Sequence, residues 1–320
     1  MKLIWNQILQ SIVMGMLLPG MMFSTGAEMG SETVRPPETV TQENPAEPIM
    51  IPVMTEDGQV SRMDLEDYIC RVVLGEMPAS FETDALKAQA VAARTYTLRC
   101  VNEGDRHPEG AVCTDYRCCQ AYREPEEYLR SGGTQESIDK VFGAVRQTAA
   151  EVVCYDGELI YATYFASSGG ITEDAREVWG QAFPYLVSVR SPGERDTAYQ
   201  NEQVTVTASE FQARLGVTLQ GSPEIWFGKI RRTVGGGVDA IRIGARLYSG
   251  LELRKAFGLR STIFTVTATA DSVTFETNGY GHRVGLSQYG ADAMAAAGHS
   301  YDEILAHYYA GTTLETYPQD

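Results

Sequence analysis

The sequence predicts an α+β fold: a helical corner, then a central set of antiparallel strands, then helices at the C-terminal end. Three observations support it. Apolar residues recur at helical spacing within 64–99, short strand-like runs separated by turns fill much of 151–277, and helical spacing returns after residue 286. Helices and strands that occupy separate stretches of the chain are typical of this class. We expect a binding groove between the three parts.

The apolar N-terminal segment of the sequence predicts that the protein is exported. The strongest apolar stretch, residues 12–23, has the length of a signal-peptide core, whereas 3–23 approaches the roughly 20 residues that span a bilayer. Residues 1–26 are therefore a signal peptide or a membrane anchor. Residues 27–55, rich in Pro, Glu and Thr, predict a flexible linker before one folded domain at 56–320. We expect a secreted or membrane-anchored protein that acts outside the cytoplasm.

The charge of the chain limits its partners. A net charge of −16 argues against nucleic acid, because phosphate binding requires a basic surface. A neutral sugar polymer remains compatible with this charge. The 17 tyrosines suit either a protein core or flat amphipathic surfaces for sugar rings.

Two helices and the break between them form the helical corner. Pro78 cannot continue the first helix, so Glu76 lies at or just past its C-terminal end. The second helix begins near Thr83. Apolar residues of the first helix and small residues of the second recur at helical spacing: Leu65, Tyr68, Ile69, Val72 and Val73, then Ala85, Ala88 and Ala92.

Glu76 is the candidate general acid. A helix C-terminus carries partial negative charge, which disfavours the ionised carboxylate and raises its pKa. A carboxyl group that is still protonated near neutral pH can donate a proton to a leaving group. The alternative is a surface glutamate beside a turn. Lys87, Gln89 and Arg94 are polar residues on the Ala-rich second helix and favour the catalytic interpretation.

The loop after the second helix is dense in cysteine and short of apolar residues. His107, Cys113, Cys118 and Cys119 form a complete tetrahedral set for a structural zinc ion. Because exported proteins usually pair their cysteines, disulfides remain the alternative, with Cys70, Cys100 or Cys154 as further partners.

The remaining elements follow in order. Helical spacing predicts a helix over 135–150, and the turn Asp156-Gly157 predicts a hairpin over 151–166. Further segments are predicted as a helix near 208–215, a helix at 251–257, a hairpin of 263–269 with 272–277, and helices at 286–297 and 301–309. Ser300 and Glu303 form a capping box, and Gly311 ends the last helix.

A glycine-rich loop at 279–290 is a second candidate for ligand binding. It presents His, Arg, Ser, Gln and Tyr side chains, which suit hydrogen bonding and stacking on a polyhydroxyl ligand. A structural turn before a helix is the alternative. His299 and His307 are expected to be packing or surface residues.

These stretches together resemble the stage II sporulation protein D family of bacterial peptidoglycan lytic transglycosylases. The resemblance is carried by LGEMPASF within 72–98, SSGGITED within 167–189, LELRKAFGL within 251–264 and GHRVGLSQYG within 281–314. Two positions depart from the family pattern: Cys118 stands where a His is expected in the zinc loop, and Arg283 where a Gly is expected in the GHGVG loop.

The resemblance implies a function. Glu76 would cleave the bond between N-acetylmuramic acid and N-acetylglucosamine in glycan strands without stem peptides, leaving 1,6-anhydro ends, with no second carboxylate and no cofactor for catalysis. It also implies a structural zinc ion, a place at the engulfing septal membrane of the mother cell, and the amidase stage II sporulation protein P and the membrane protein stage II sporulation protein M as partners. The predicted substrate-binding residues are Lys87, Arg94, Tyr96, Ser167, Ser168, His282, Ser287, Gln288 and Tyr289.

Two other functions remain open. The first is a non-catalytic glycan-binding module that enhances a partner amidase. The second is a metal-dependent hydrolase that uses His282 with His299 or His307, although this spacing is not that of a compact metal motif.

Overall fold

The computed structural model describes residues 48–55, 57–194 and 199–318. The predicted signal peptide or anchor at 1–26 lies outside these residues, as does most of the predicted linker. Within the described ranges, no helix combines the length and the apolar character that a membrane span requires.

The protein is a mixed α+β structure, as predicted. The helices are α1 (Leu65–Glu76), α2 (Thr83–Glu103), α3 (Pro125–Arg130), α4 (Gln135–Gln147), α5 (Ala175–Trp179), α6 (Ala208–Leu215), α7 (Gly250–Phe257), α8 (Gln288–Ala296) and α9 (Tyr301–Tyr308). The strands are β1 (Met50–Met54), β2 (Val60–Asp64), β3 (Val112–Cys113), β4 (Glu151–Tyr155), β5 (Glu158–Leu159), β6 (Tyr164–Phe165), β7 (Glu202–Thr207), β8 (Phe227–Arg232), β9 (Val238–Ile243), β10 (Arg246–Ser249), β11 (Phe264–Ala268), β12 (Ser272–Thr277), β13 (Leu286–Ser287) and β14 (Thr313–Thr316).

The strands form several small sheets. The orders β14-β4-β5, β10-β9-β8 and β11-β12-β7 are antiparallel throughout. In the sheet β2-β1-β3, β1 pairs with β3 in parallel, and β6 also pairs with β13 in parallel. The prediction of antiparallel strands is therefore wrong for these two pairs, each of which joins segments that are distant in sequence.

Helix α2 is the centre of the first hydrophobic core. Helices α1, α4, α8 and α9 and strand β4 all pack against it. Ala85, Ala88 and Ala92 are fully buried on its surface, and their small side chains let these neighbours approach closely. The helical corner therefore belongs to the best-packed part of the protein.

A second, separate core lies within residues 202–277. Phe211 of α6 stacks on Phe257 of α7 with ring centroids 5.0 Å apart, and Phe275 of β12 lies 4.7 Å from Phe257. These rings are buried in one apolar cluster with residues from both antiparallel sheets of this region. The predicted single domain at 56–320 thus contains two cores.

Arg283 joins the two cores. Its fully buried guanidinium pairs with Glu173 at 3.0 Å and donates to the carbonyls of Ser168, Ile171 and Gly235. Gly235 belongs to the second region, whose Gly237 amide also donates to Glu173. Arg283 has a φ of 68°, a left-handed conformation that a glycine adopts easily. Here the satisfied hydrogen bonds hold an arginine in it, which explains how this chain tolerates the departure from the family pattern.

The predicted element boundaries agree with the structure in most places. Helix α6 has the predicted bounds, and α4, α7 and α9 lie within the predicted ranges or one residue outside them. Two boundaries are corrected. Strand β1 lies inside the predicted linker, because Ile51 and Val53 are buried in the first core. The segment predicted as a helix from residue 286 begins instead with β13. Strand β14 was not predicted.

Candidate active site

A cavity of about 920 Å³ opens beside the C-terminal end of α1. Its walls come from the turn after α1, the segment 119–123, the connection from α3 to α4, strand β6 and the first turn of α8. Cavities of this size commonly hold organic ligands. Nine of the side chains that line it are phenylalanine or tyrosine: Phe81, Tyr96, Tyr116, Tyr128, Tyr164, Phe165, Tyr199, Tyr280 and Tyr289.

Glu76, the last residue of α1, points into this cavity. Its Oε1 accepts a 2.6 Å hydrogen bond from the backbone N–H of Ala121, and its Oε2 lies 3.4 Å from the Nε2 donor of Gln288. The hydroxyl of Tyr164 is nearby and donates to Gln120 at 2.7 Å. The carboxyl group is therefore held mainly through one oxygen, and Oε2 has only a long hydrogen bond.

Burial raises the pKa of Glu76 above the usual glutamate range, and hydrogen bonds from Ala121, Gln288 and Tyr164 offset part of the rise. The direction agrees with the prediction, but burial in the cavity is the largest cause, and not the helix terminus. A protonated carboxyl group at this position is therefore favoured at higher pH than for a solvated glutamate.

Gly75 permits this arrangement. A Cβ atom at position 75 would lie 2.9 Å from the backbone N of Tyr122 and 3.1 Å from the carbonyl carbon of Ala121. The segment 119–123 can thus lie directly on the end of α1, where the Ala121 amide reaches Glu76 and the Arg123 amide donates to Arg71. Only glycine has room there.

We expect Gly75→Ala to lower the free energy of unfolding by about 1–3 kcal/mol, the usual cost of overpacking. The same change should lower any activity that depends on Glu76, because the Ala121 amide must move. Chemical denaturation measures the first effect. Gly143→Ala is the matched control: a Cβ there meets nothing within 4 Å, and alanine in a helix should stabilise by about 0.5–1 kcal/mol. Equal stability of the two variants would contradict the close approach at Gly75.

One wall of the cavity is a continuous row of aromatic rings. Phe81 contacts Tyr289 edge-on at 4.9 Å, Tyr289 contacts Tyr199 at 5.3 Å, and Tyr199 contacts Tyr280 at 5.0 Å. The guanidinium of Arg260 lies 5.3 Å from the ring of Tyr199. Such a row offers apolar faces and hydroxyl edges along one direction, which suits an elongated ligand with alternating apolar and polar surfaces.

The structure places only part of the predicted substrate-binding set at the cavity. Its members there are Tyr96, His282, Gln288 and Tyr289. Of these, Gln288 contacts Glu76 directly and Tyr289 belongs to the aromatic row. The ring of Tyr96 lines the cavity while its hydroxyl accepts a hydrogen bond from Arg106 of the cysteine-rich loop.

The prediction that Arg94 and Lys87 bind substrate is corrected. Arg94 is fully buried and holds Glu66 of α1 through two hydrogen bonds of 2.8 and 2.6 Å, and it also donates to the carbonyls of Val145 and Glu151. A guanidinium with these partners cannot reach a ligand, so Arg94 is a structural residue. Lys87 lies on the outer side of α2, 4.0 Å from Asp84 and over the ring of Tyr301.

Ser167, Ser168 and Ser287 are also corrected. All are buried, and their hydroxyl groups donate to the carboxylate of Glu194 at 2.6, 2.8 and 2.7 Å. Glu194 accepts further bonds from the amide of Ser168 and the hydroxyl of Ser191. This buried carboxylate therefore fixes the loop that contains Ser167 and Ser168 against the start of α8, and the serines are not available to a ligand.

His282, His299 and His307 do not assemble a metal centre. Burial, followed by the charge of Arg254, lowers the pKa of His282 to about 3, so this side chain is neutral at physiological pH. His299 pairs with Glu303 at the surface, and His307 bonds to the carbonyl of Arg190. Neither joins His282 in a cluster of potential metal ligands within the described residues.

The cysteine-rich loop brings its predicted ligands together. Donor atoms of His107, Cys113, Cys118 and Cys119 all lie within 4.8 Å of one another. His107 Nε2 is 3.2 Å from the sulfur of Cys118 and 3.6 Å from that of Cys119. In a tetrahedral site with Zn–S near 2.3 Å and Zn–N near 2.0 Å, neighbouring ligands are about 3.5–3.8 Å apart. All six cysteines are free thiols.

The cluster favours one thiolate. Contacts from the Cys113 and Cys118 thiols lower the pKa of Cys119, and the charge of Arg106, which approaches its sulfur at 3.7 Å, acts in the same direction. The Cys113 amide also donates to this sulfur at 3.4 Å. A stabilised thiolate among close sulfur and imidazole donors is the chemistry that a thiophilic metal requires.

Several cavity residues were missed in the sequence. Tyr128, Tyr199 and Tyr280 come from three distant segments, and no periodicity connects them. The high tyrosine content was the one available signal. Arg123 and Lys140 were missed as well, because charged residues in loops and on helix surfaces are usually solvated.

The fold and the site define a class: an α+β protein with a partly buried glutamate in a cavity lined by aromatic side chains, beside a cluster of three cysteines and one histidine. Comparison with known proteins identifies the family. A model of the stage II sporulation protein family matches residues 54–155, which include Glu76 and the cysteine-rich loop. The chain is 37% identical over 294 residues to stage II sporulation protein D of Bacillus subtilis (strain 168), covering 90% of this chain and 82% of that protein.

Two further relatives extend the comparison. Stage II sporulation protein D of Bacillus amyloliquefaciens is 36% identical over 273 residues, covering 83% of this chain and 79% of that protein. A protein named amidase enhancer from Bacillus subtilis (strain 168) is 31% identical over 304 residues, covering 77% of this chain and 40% of that longer protein. The chain belongs to the stage II sporulation protein D family, and its role is in sporulation.

Proposed function

We propose that the protein is a peptidoglycan lytic transglycosylase that acts during sporulation engulfment. It cleaves the bond between N-acetylmuramic acid and N-acetylglucosamine in strands without stem peptides and leaves 1,6-anhydro ends. The observation that carries the proposal is Glu76: a partly buried carboxyl group with a raised pKa, at the wall of a cavity lined by many aromatic side chains.

The carboxylates that the described residues place on the cavity wall favour this reaction over hydrolysis. Most glycoside hydrolases use two carboxyl groups about 5–9.5 Å apart. Among the described residues, Glu136 is the other carboxylate on the cavity wall, but it is exposed at the start of α4 and is not among the groups that shift the Glu76 pKa. A lytic transglycosylase needs one group, because the nucleophile is the C6 hydroxyl of the substrate.

The two proton transfers are assigned to one side chain. Oε1 accepts the short bond from Ala121, so the acidic proton resides on Oε2. Glu76 donates it to the glycosidic oxygen as the bond to C1 breaks. The resulting carboxylate, stabilised by the Ala121 amide and by Gln288, takes the proton of the C6 hydroxyl while O6 bonds to C1. The carboxyl group is thereby restored.

The product analysis tests the proposal. Purified protein is incubated with stem-peptide-free glycan strands, and the released ends are identified by mass spectrometry. We expect muramic acid ends that are lighter by one water than hydrolysed ends. Reducing ends instead of anhydro ends would establish a hydrolase. Strands that are bound but not cleaved would contradict an enzymatic function.

The pH profile depends on Gln288. The general acid must be protonated, so the rate falls as pH rises through the raised pKa of Glu76. The Gln288 hydrogen bond lowers this pKa. We expect Gln288→Leu to raise it further and to move the high-pH limb of kcat/KM to higher pH. Gln135→Leu is the control, because the Gln135 side chain bonds Asp139 on the exposed face of α4. A limb that moves to lower pH would contradict the assignment.

A second candidate function rests on one relative. Because the chain is similar to a protein named amidase enhancer, a non-catalytic glycan-binding role that enhances a partner amidase is the alternative. Under this alternative, the Glu76→Gln variant would still enhance the amidase and no anhydro ends would form. The family resemblance suggests stage II sporulation protein P as that amidase and stage II sporulation protein M as a membrane partner, at the engulfing septal membrane.

We further propose a structural zinc ion held by His107, Cys113, Cys118 and Cys119. The distances between the donor atoms and the stabilised thiolate on Cys119 fit such an ion. With all four positions filled by protein, the metal would stabilise the loop and would not activate water. Cys118 serves as a ligand in place of the histidine that the family resemblance implies.

A further inference from the structure

Arg123 is a cation on the cavity wall that no carboxylate neutralises. The chain carries a net charge of −16, yet no acidic group of the described residues forms an ion pair with Arg123. Its neighbour Glu124 pairs instead with Arg71. In so acidic a protein, a guanidinium that lines the cavity beside Glu76 and has no carboxylate partner is suited to bind an anionic ligand.

The guanidinium is held in one orientation. It lies 5.2 Å from the ring centroid of Tyr128, and its Nη2 donates to the hydroxyl of Ser131, which in turn donates to the carbonyl of Tyr128. A Cβ at Gly133 would overlap the Tyr128 ring, so the turn after α3 fixes that ring. The group has five N–H donors, and no other acceptor within the described residues binds those that remain.

Its position relates it to the reacting bond. Arg123 lies two residues after Ala121, whose backbone amide donates to Glu76. Both residues line the cavity, and Tyr122 between them does not. The cation therefore faces the same space as Glu76.

Lys140 is the other cation on this wall, but its ammonium already donates to the carbonyl of Phe81 at 2.6 Å. Glu136 on the same wall would repel an anion placed next to it. Arg123 therefore has the stronger claim to an anionic ligand, because its planar donors match a carboxylate in bidentate geometry.

We propose that Arg123 binds the carboxylate of the lactyl ether on muramic acid and so selects strands from which the stem peptide has been removed. This inference rests on the proposed function. In a strand without peptides, this carboxylate is the regular anionic group, and it lies on the sugar ring whose C1 reacts. Attachment of a peptide converts it to an uncharged amide, which removes the charge that Arg123 recognises and adds bulk at the turn after α3.

The test compares two forms of one substrate: stem-peptide-free strands, and the same strands after carbodiimide coupling to methylamine, which makes the lactyl group a neutral amide. Binding is measured in protein that carries Glu76→Gln, so that the strands are not cleaved. Cleavage is measured in protein that retains Glu76. In protein that retains Arg123, we expect strands with the free carboxylate to bind at least about tenfold more tightly than strands with the amide, since hydrogen bonds to charged groups are strong. Arg123→Gln should remove this preference, and Arg123→Lys should restore part of it.

Arg130→Gln is the matched control, because Arg130 is exposed on α3 and does not line the cavity. It should keep the full preference. Equal binding of the two strands by protein with Arg123, or a full preference in Arg123→Gln, would overturn the inference even if anhydro ends still form. A preference that depends on Arg123 without any anhydro product would sustain the inference and overturn the proposed transglycosylase. Circular dichroism of each variant confirms that it is folded.

Discussion

We expect Glu76→Gln to abolish the formation of 1,6-anhydro ends and to leave the fold and strand binding intact. The amide cannot donate a proton to the glycosidic oxygen or accept one from the C6 hydroxyl, and both steps are assigned to Glu76. General acid–base catalysis accelerates a reaction by about 10²–10⁴-fold, and in the proposed mechanism Glu76 acts first as the acid and then as the base. We therefore expect a loss of at least about 10³-fold in the rate, measured from anhydro ends released per enzyme.

The stability of this variant separates chemistry from folding. Gln retains the oxygen that accepts from the Ala121 amide, and it is uncharged in a cavity whose burial disfavours the ionised form. Since the raised pKa means that folding opposes ionisation of Glu76, the variant should be as stable as the parent at low pH. It should be more stable above the raised pKa. Thermal unfolding at several pH values measures this.

Glu136→Gln is the control within the same cavity. Its carboxylate is exposed at the first turn of α4 and makes no contact with Glu76, so most of the activity should remain. An equal loss in both variants would assign the reaction to two carboxylates and contradict a single-acid mechanism.

The helical corner could be predicted from the sequence because its signals are local. Pro78 ends α1, and the small residues of α2 recur at helical spacing, so the position of Glu76 follows from nearby residues. The cause of its raised pKa could not be predicted. The Ala121 amide that binds Glu76 lies 45 residues away, and the close contact that Gly75 allows depends on tertiary packing.

The substrate-binding predictions failed where a polar residue had a hidden partner. Ser167, Ser168 and Ser287 look suited to a sugar, but Glu194 binds them, and nothing in the sequence around Glu194 indicates a buried carboxylate. Arg94 likewise appears free on an Ala-rich helix until Glu66 is brought to it from 28 residues away. Tertiary contacts over such separations leave no periodic signal in the sequence.

The cysteine-rich loop was predictable for a different reason. Its ligands lie within 13 residues, so their spacing limits how far apart they can be. The sequence left zinc and disulfides open, and the fold brings the four donor atoms together as free thiols and an imidazole.

We expect the unaltered protein to contain one zinc ion per chain, and Cys119→Ser to lose this ion and to be less stable. After denaturation and chelation of the metal, the unaltered protein should show six free thiols. Structural zinc binding in small peptides amounts to about 10–16 kcal/mol of folding free energy, but this chain has two hydrophobic cores of its own. We therefore expect a loss of only part of that amount and a folded protein. Cys154→Ser, at a buried position in β4 outside the cluster, is the control and should retain zinc.

The metal should also act on the acid through the chain itself. Cys118 and Cys119 directly precede the segment whose Ala121 amide donates to Glu76, and this amide lowers the Glu76 pKa. If the loop holds the proposed zinc ion, we expect its removal to weaken this hydrogen bond and to raise the pKa of Glu76. The maximum rate should fall because the carboxylate formed during cleavage is less stabilised, while the high-pH limb moves to higher pH. Loss of zinc with an unchanged pH profile would mean that the loop contributes stability alone.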